Sequence, residues 1–361
     1  MRTLKKLAAA LFILVLTASS ASAIVYGQAG YESEGYDESS AWEINSLSVL
    51  KTVRNDLNSG VISSLTTKYF RLTSDIDLTR ETSWTAIGTD TNPFSGVFDG
   101  GGHTIRVLMG TSNQKYTGLF GYVDGGTIKN LRVKGKVVGS YSISATYSSY
   151  VSTTATAYNY AGGIAAYLNT GTIDNCQFDG EVKSTTSAYS QWYIGGAQSY
   201  AHAGGITAKN GGRIAITNCT VGGNDTETKI TASETHSGNG TISGSSYASG
   251  IIGYFYDQTY RNSISYNYSR VTAEADNVRN RIYGYRDGVY WTVSGNTEVD
   301  PEAGSGTPQA IYRSSLADAY NGDTYSATLS ATGDSLITWS LYCSSSYNIV
   351  IIISRFVHDR G

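Results

Sequence analysis

The stretch "YTGLFGYVDGGTIKNLRVKGKV", residues 116–137, decides the fold of this chain. Its apolar residues are interrupted by a Gly-Gly pair and a polar dipeptide, and their spacing is too irregular for an amphipathic helix. These apolar residues are Leu119, Phe120, Val123, Ile128, Leu131, Val133 and Val137. The pattern favours short strands joined by tight bends.

The same unit returns three times further along the chain. The copies are "YAGGIAAYLNTGTIDNCQFDGEV" (160–182), "HAGGITAKNGGRIAITNCTVGG" (202–223) and, more weakly, "YASGIIGYFYDQTYRNSISYNYSRV" (247–271). Their equivalent positions are Leu119, Ile164, Ile206 and Ile251, which gives intervals of 45, 42 and 45 residues. Self-similarity at a nearly constant period indicates a repeat protein.

Each of the three clearest units places an asparagine one residue before the middle of an apolar triplet. The triplets are Ile128/Leu131/Val133, Ile173/Cys176/Phe178 and Ile216/Cys219/Val221. Their spacing fits two short strands around a tight bend, where asparagine adopts left-handed backbone angles. Coils of other solenoids take about twenty residues, so we expect each period to hold two coils. The second would come from the Ser/Thr/Tyr-rich inserts at 139–160 and 183–202, as full coils or as protruding loops.

The segment "TGLFGYVDGGTIKNL" resembles the GLUG motif, which occurs in right-handed parallel β-helices of bacterial surface and secreted proteins, including adhesins and a segment of immunoglobulin A peptidases. Residues 69–105 resemble the beginning of such helices. The matching residues, in the family's order, are Asp75-Ile76-Asp77-Leu78, Trp84, Ile87-Gly88 and Phe98-Asp99-Gly100. The resemblance covers residues 41–271 and implies an all-β chain, with a right-handed parallel β-helix (solenoid) over 61–300.

The N-terminal region divides into three expected segments. Residues 1–23 have a basic start, an apolar run and a small-residue ending, which are typical of a secretory signal peptide. They predict a secreted, extracellular or cell-surface location. Residues 24–40 are polar and acidic and predict a flexible leader. Residues 41–60 have near-helical apolar spacing and predict a short helix that caps the first coil.

The composition excludes several classes of partner and fold. Charged residues make up 15% of the chain, the net charge is −3 and no basic stripe exists, so nucleic acid is not an expected partner. No apolar run after the signal peptide is long enough to predict a transmembrane segment. Cys176 and Cys219 are predicted to be small buried residues. With one coil between them they would lie about 10 Å apart, beyond disulfide reach.

The C-terminal residues 325–341, "YSATLSATGDSLITWSL", resemble the first strands of an immunoglobulin-like domain found in bacterial surface proteins. That resemblance implies a β-sandwich, which needs about a hundred residues. We therefore expect a linker at 301–324 and an incomplete immunoglobulin-like module at 325–361. We also expect the sequence to be truncated or frameshifted near Leu341.

The sequence predicts no catalytic residues, no cofactor and no metal site. None of the four histidines is followed by glutamate, so the zinc-protease motif is absent. Asp75 and Asp77 project from one strand face, but we favour a solvated or turn-bonded role over a glycosidase pair. Calcium binding by these residues with Asp90 is chemically open. Asp99 is predicted to organise a turn, and His103 to be a turn or surface histidine.

Aromatic residues cluster in the inserts and supply the candidate ligand-binding residues Tyr189, Trp192, Tyr193 and Tyr200. Such rings offer contact area to sugars or proteins at low entropic cost. The alternative is that tyrosines only stabilise the stack. We predict a non-catalytic secreted or surface repeat protein that acts in adhesion or as a spacer, with host or cell-surface glycans or proteins as partners. The alternatives are a carbohydrate-binding module, or a polysaccharide lyase or hydrolase on a β-helix.

Overall fold

The computed structural model describes most of the chain. The described residues are 25–27, 35–62, 68–81, 84–145, 154–191, 195–223, 227–257, 262–275, 278–280, 282–288, 291–294, 296–299, 324–330, 336–345 and 348–355. The predicted signal peptide lies outside the described residues, as does the predicted linker apart from its last residue.

Short strands follow one another along the chain, with a helix near the N-terminus. The first elements are β1 (Trp42–Ile44), α1 (Leu47–Asn58), β2 (Tyr69–Leu72), β3 (Ile76–Asp77), β4 (Val97–Asp99), β5 (Thr104–Ser112), β6 (Tyr116–Thr117), β7 (Phe120–Lys129), β8 (Arg132–Ala145) and β9 (Thr154–Gly162). The next are β10 (Ala165–Asp174), β11 (Gln177–Ser190), β12 (Gly196–Gly204), β13 (Thr207–Asn210), β14 (Ile214–Thr217), β15 (Thr220–Val221), β16 (Lys229–Gly238), β17 (Thr241–Ser249), β18 (Ile252–Asp257) and β19 (Asn262–Ser265). The last are β20 (Tyr268–Arg270), β21 (Thr272–Ala275), β22 (Val278–Asn280), β23 (Tyr283–Gly288), β24 (Trp291–Ser294), β25 (Thr297–Val299), β26 (Thr324–Ser330), β27 (Leu336–Ser345) and β28 (Asn348–Arg355).

Strands β1 to β25 form three parallel sheets. Sheet A runs β1-β2-β4-β7-β10-β13-β18-β23, with β14, β19 and β24 continuing alongside. Sheet B runs β3-β5-β8-β11-β15-β20-β25, with β16 and β21 alongside, and sheet C runs β6-β9-β12-β17-β22. The predicted all-β class is therefore confirmed, and these three sheets are parallel.

One pass of the chain through sheets A, B and C is called a layer here. Strands β7, β8 and β9 form one layer, and β10, β11 and β12 pair directly on them, with Val182 opposite Val137 and Tyr200 opposite Tyr158. The expectation of two coils per period is thus wrong. One period is one layer, because its strands are long, at 10, 14 and 9 residues in β7, β8 and β9. The Ser/Thr/Tyr-rich inserts supply the end of each sheet B strand and the sheet C strand.

The central core consists of apolar ladders at equivalent positions of successive layers. Two of these ladders are Leu119/Ile164/Ile206/Ile251 and Ile128/Ile173/Ile216/Ile264, and all eight side chains are fully buried. Burying one such side chain contributes about 1.5–3 kcal/mol to folding. Each repeat therefore adds its own increment of core, which explains why the apolar positions recur along the sequence.

Cys176 and Cys219 lie in one of these ladders, as predicted, and both are buried free thiols. The predicted separation of about 10 Å is wrong, because the strands around them are direct neighbours, so the spacing is about 4.8 Å. Burial and the adjacent Cys219 raise the pKa of the Cys176 thiol.

An asparagine turns the chain from sheet A into sheet B in three successive layers. Asn130, Asn175 and Asn218 have φ values of 53°, 49° and 55°, which confirms the predicted left-handed bend. Their side chains link the layers, since Asn175 Nδ2 donates to Asn130 Oδ1 at 2.7 Å and Asn218 Nδ2 donates to Asp174 Oδ1 at 2.8 Å. In the next layer Tyr266 takes the left-handed position, and the side chain of Asn267 turns inward to accept from the backbone N–H of Cys219.

Asn175→Ala is expected to lower the free energy of unfolding by about 1–2 kcal/mol, because alanine tolerates left-handed angles poorly. Urea unfolding monitored by circular dichroism measures this change. Asn175→Gly is the matched control, since glycine adopts the same angles without strain but also lacks the amide. If the two variants were equally unstable, the loss of stability would come from the missing side-chain hydrogen bond to Asn130 and not from the backbone angle.

The predicted capping helix is present as α1, although residues 42–44 before it form a strand. Ser46 caps its first turn by accepting a hydrogen bond from the backbone N–H of Val49 at 3.4 Å. Leu50, Val53 and Leu57 are buried in the central core. The helix therefore covers apolar surface at the N-terminal end of the stack.

Part of the segment predicted to be a flexible leader is packed. Tyr26 is 4% exposed and makes an edge-on contact with Trp42, with ring centroids 5.0 Å apart. Its hydroxyl donates to Asp56 Oδ2 on α1 at 2.9 Å. The acidic composition of residues 24–40 predicted a flexible leader, although Tyr26 packs against the helix and the first strand.

Strands β26, β27 and β28 form a separate antiparallel sheet of three strands. These strands fall within residues 325–361, apart from Thr324, where the sequence predicts an incomplete immunoglobulin-like module. That module remains a prediction. In the described part of the chain, no helix has the length and apolar character needed to span a membrane.

Candidate binding site

Rings from sheet C and sheet A meet on the outer side of the stack, where the chain passes from one sheet to the other. We call this cluster the aromatic corner. Its members are Tyr116, Tyr122, Tyr158, Tyr160, Tyr167, Tyr200, His202, Tyr247 and Tyr254, together with Lys115 and Lys209.

Strand alternation places these rings away from the central core. Ala161 and Ala203 belong to the core, so the preceding residues Tyr160 and His202 point to the opposite face of sheet C. Tyr160 instead belongs to a separate cluster with Ala166 and the neighbouring tyrosines. The corner is thus a second, outward-facing packing surface.

Two ladders of the repeat build the aromatic corner. On sheet C, Tyr116, Tyr160, His202 and Tyr247 are register partners in successive layers. On sheet A the corresponding ladder is Tyr122, Tyr167, Lys209 and Tyr254. Each sheet A residue lies three positions after the ladder Leu or Ile of its repeat, a regularity that the sequence displays and that the sequence analysis missed.

A tight Gly-Gly turn brings the two ladders together. A Cβ on Gly162 would collide with the carbonyl oxygen of Ala165, and one on Gly204 would collide with that of Thr207. These glycines let sheet A begin close against the outer face of sheet C. The turn therefore sets the distance between the two rows of rings.

The rings stack both along and across the layers. Tyr122 and Tyr167 have centroids 4.9 Å apart with planes at 17°, and Tyr158 and Tyr200 are 5.1 Å apart at 12°. Such stacking of tyrosines between layers is the stabilising role that the sequence offered as an alternative. Across the corner, the Tyr160 and Tyr167 centroids lie 5.7 Å apart.

Burial changes the protonation behaviour of the corner. It raises the pKa of Tyr116 to about 12 and raises that of Tyr160 and Tyr167 further. Burial and the nearby Lys115 lower the pKa of Lys209. At neutral pH the tyrosines are therefore uncharged hydroxyl groups, which can donate and accept hydrogen bonds.

His202 lies at the centre of the later layers of the corner. It is 3% exposed, and neither ring nitrogen has a hydrogen-bond partner in the described structure. Its ring stacks on Tyr254 at 4.9 Å and 6°. Burial, followed by the charge of Lys209, lowers its pKa well below the ordinary value, so this histidine is neutral.

Of the two predicted binding residues that the structure describes, Tyr200 belongs to the aromatic corner and Tyr189 does not. Tyr200 stacks on Tyr158, whereas Tyr189 lies near the end of β11, is 38% exposed and has no ring contact among the described residues. Trp192 and Tyr193 lie outside the described residues. The sequence analysis grouped aromatics by their position in the inserts, whereas the fold groups them by ladder.

The acidic residues considered for catalysis accept hydrogen bonds from the backbone, Asp77 and Asp99 within local turns and Asp75 from a distant strand. Asp77 accepts from the backbone N–H of Thr79 at 2.8 Å, and Asp75 accepts from that of Thr104 at 2.9 Å. The bond from Thr104 is the main cause of the lowered pKa of Asp75, whereas a hydrogen bond from the Thr79 side chain, followed by the one from its backbone N–H, lowers the pKa of Asp77. Asp99 accepts from the N–H of Gly101 at 2.9 Å, which confirms its predicted turn. The described residues contain no group of three or more His, Cys, Asp or Glu that could hold a metal ion.

The outer face of sheet B carries a depression of about 730 Å³ lined by charged side chains. A row of alternating charge crosses it, in which Lys136, Glu181 and Lys229 are register partners in successive layers. Glu274 lies in the following layer, opposite Thr231. Ion pairs of 2.7 Å for Lys136–Glu181 and 2.9 Å for Lys229–Glu274 close within this row. Its charges are mutually compensated, so it offers a weaker binding surface than the aromatic corner.

Comparisons with known proteins give little further guidance. Neither a family model nor a curated protein matches the chain. Among solved structures, the chain is similar to one from Bacteroides ovatus described as a "putative immunoglobulin A1 protease". The identity is 20%, the TM-score is 0.43, and the match covers 74% of this chain and 86% of that chain. At this level the similarity carries no argument about fold or activity.

Proposed function

We propose that this chain is a non-catalytic, secreted or cell-surface right-handed parallel β-helix of the GLUG-motif type, and that it acts in adhesion by binding saccharides at the aromatic corner. The proposed location rests on the signal peptide that residues 1–23 predict. The proposed solenoid rests on the order of the strands, and the proposed ligand rests on the aromatic corner.

Support for the β-helix comes from the order of the strands. The chain visits sheets A, B and C in turn, and each layer pairs in parallel with the next. Crossover connections between parallel strands of one sheet are almost always right-handed. A stack of this kind is extended along one axis and presents its outer ladders as long surfaces, which suits display of a binding face.

The observation that carries the binding proposal is the aromatic corner itself. Tyr116, Tyr122, Tyr158 and Tyr200 are partly exposed and present ring faces together with neutral hydroxyl groups. Sugar rings have apolar faces and polar edges, which match an aromatic surface with hydrogen-bonding groups at its rim. Repetition of these rings along the layers suits a chain of sugar units better than a single one.

The double variant Tyr158→Ala/Tyr200→Ala is expected to weaken saccharide binding at least about tenfold, because it removes a stacked pair of rings. Binding of the full mature chain to a glycan array, followed by titration calorimetry on the best ligand, measures this effect. Tyr189→Ala is the matched control, since this exposed tyrosine lies outside the corner and should leave binding unchanged.

Two results would reject the adhesive role of the aromatic corner. Equal loss of binding in Tyr189→Ala would place the ligand elsewhere. If the folded chain bound no glycan on the array, the adhesive role would be rejected and a role as a structural spacer would be favoured instead. Circular dichroism of each variant confirms that the fold is retained.

A further inference from the structure

Two lysines of the aromatic corner carry positive charge that no carboxylate of the described chain balances. The ammonium group of Lys115 lies 5.1 Å from the ring centroid of Tyr116 and 5.9 Å from that of Tyr160. The ammonium group of Lys209 lies 5.4 Å from the same Tyr160 ring and 4.9 Å from Tyr254. The two cations thus flank one aromatic ring.

Four other lysines of the described chain, Lys51, Lys129, Lys136 and Lys229, form ion pairs with acids. Lys129 contacts Glu38 at 2.8 Å, and Lys51 contacts Glu81 at 2.8 Å. Neither Lys115 nor Lys209 makes such an ion pair within the described residues. Holding two like charges near each other, one of them partly buried, costs free energy that an anion placed between them would recover.

A second observation shows unsatisfied hydrogen-bonding groups in the aromatic corner. His202 is almost completely buried, and neither of its ring nitrogens has a hydrogen-bond partner among the described residues. Its ring stacks on Tyr254, the ring over which the Lys209 ammonium group stands. Buried polar groups in folded proteins are usually satisfied, so an unsatisfied one marks a site that a ligand or bound water completes.

Two carboxylates lie near the same rings. Asp90 and Asp124 lie near enough to Tyr116 and Tyr122 to raise the pKa of those phenols, although burial is the larger cause for both. Among the described residues neither carboxylate forms an ion pair with Lys115 or Lys209, so both ammonium groups remain available to a ligand.

We propose that the aromatic corner is selective for acidic saccharides, with a carboxylate or sulfate group of the sugar held between Lys115 and Lys209 while sugar rings stack on the neighbouring tyrosines. This inference rests on the proposed saccharide-binding function and names the substrate class of that same surface. Charge-assisted hydrogen bonds to the ammonium groups would supply the selectivity, and the aromatic faces would supply contact area.

Calorimetry with defined oligosaccharides tests the proposal on the full mature chain. The first pair is oligogalacturonate, which carries carboxylates, and its neutral methyl ester. The second pair is dextran sulfate, which carries sulfate groups, and neutral dextran. We expect the charged member of at least one pair to bind at least about tenfold more tightly, as one charge-assisted hydrogen bond would give. We also expect the affinity to fall as salt is raised, because screening weakens partly exposed charges.

Lys115→Gln and Lys209→Gln are each expected to remove most of this preference, whereas binding of the neutral match should change little. Lys134→Gln is the matched control, because Lys134 is an exposed lysine on sheet B, away from the corner. Thermal unfolding of each variant shows whether it is folded. If Lys209→Gln fails to fold, Lys115→Gln alone decides the outcome.

The outcomes distinguish selectivity for acidic saccharides from saccharide binding itself. Binding of neutral saccharides through the tyrosines without preference for charge would overturn the acidic selectivity and leave the saccharide site in place. Preference for acidic ligands that persists in both lysine variants would also overturn it. Binding of no saccharide at all would overturn both.

Discussion

At pH 5 a chain carrying His202→Phe is expected to be more stable than the wild type, and its advantage at pH 5 should exceed its advantage at pH 8 by about 2 kcal/mol. The pKa of His202 is lowered in the folded chain by burial and by Lys209. The unfolded chain therefore binds more protons than the folded chain below pH 6.5, and stability falls as the pH falls. Tyr160, Tyr247 and Tyr254 pack against the same ring, and the charged group that faces it is Lys209.

Each pH unit below 6.5 costs about 1.4 kcal/mol until the folded pKa is reached. Phenylalanine removes this cost and also the two unsatisfied nitrogens, while it keeps a ring in the ladder between Tyr160 and Tyr247. Urea unfolding at pH 5, 6.5 and 8 measures the effect. His103→Gln controls for loss of a histidine, since His103 is partly exposed. If His202→Phe and wild type lost stability equally between pH 8 and pH 5, the folded chain would have to protonate His202.

Gly162→Ala is expected to lower the free energy of unfolding by about 1–3 kcal/mol. An added Cβ would meet the carbonyl oxygen of Ala165 and the backbone nitrogen of Ala166, which belong to the strand that follows the turn. Backbone atoms held in a sheet cannot move aside cheaply. Because the turn joins Tyr160 to Tyr167, saccharide binding at the aromatic corner should weaken together with stability. Thermal unfolding and calorimetry measure the two effects.

Gly110→Ala is the control for this substitution. A Cβ at Gly110 in β5 would meet no atom within 4 Å. The change should leave stability equal or raise it by up to about 1 kcal/mol, because alanine reduces the entropy of the unfolded chain. Equal destabilisation by the two substitutions would show that the turn is looser than its contacts indicate.

The parts of the fold that the sequence predicted depend on local chemistry. The left-handed asparagines followed from the position of Asn130 and its counterparts, because few residues other than glycine adopt those angles readily. The core ladders followed from apolar positions that recur at each period. The helix α1 followed from its spacing of Val53 and Leu57 with earlier apolar residues.

The parts that the sequence analysis missed depend on contacts between layers. The number of coils in one period was inferred by analogy with solenoids that have shorter coils. The strand lengths decide this number, and they depend on pairing between layers, which the sequence does not display. The aromatic corner joins Tyr160 to Tyr167 across a turn, and these residues lie on different sheets. Grouping by sequence proximity therefore selected Tyr189, which lies elsewhere, together with Tyr200, which belongs to the corner.

The alternating charges of Lys136, Glu181 and Lys229 have a consequence for how the stack assembles. Layers of similar sequence can pair with the wrong neighbour during folding, which is a common failure of repeat proteins. Omission of the layer that carries Glu181 would set Lys136 directly opposite Lys229. Like charges directly opposite each other in a sheet are destabilising, so this row disfavours assembly with a layer left out.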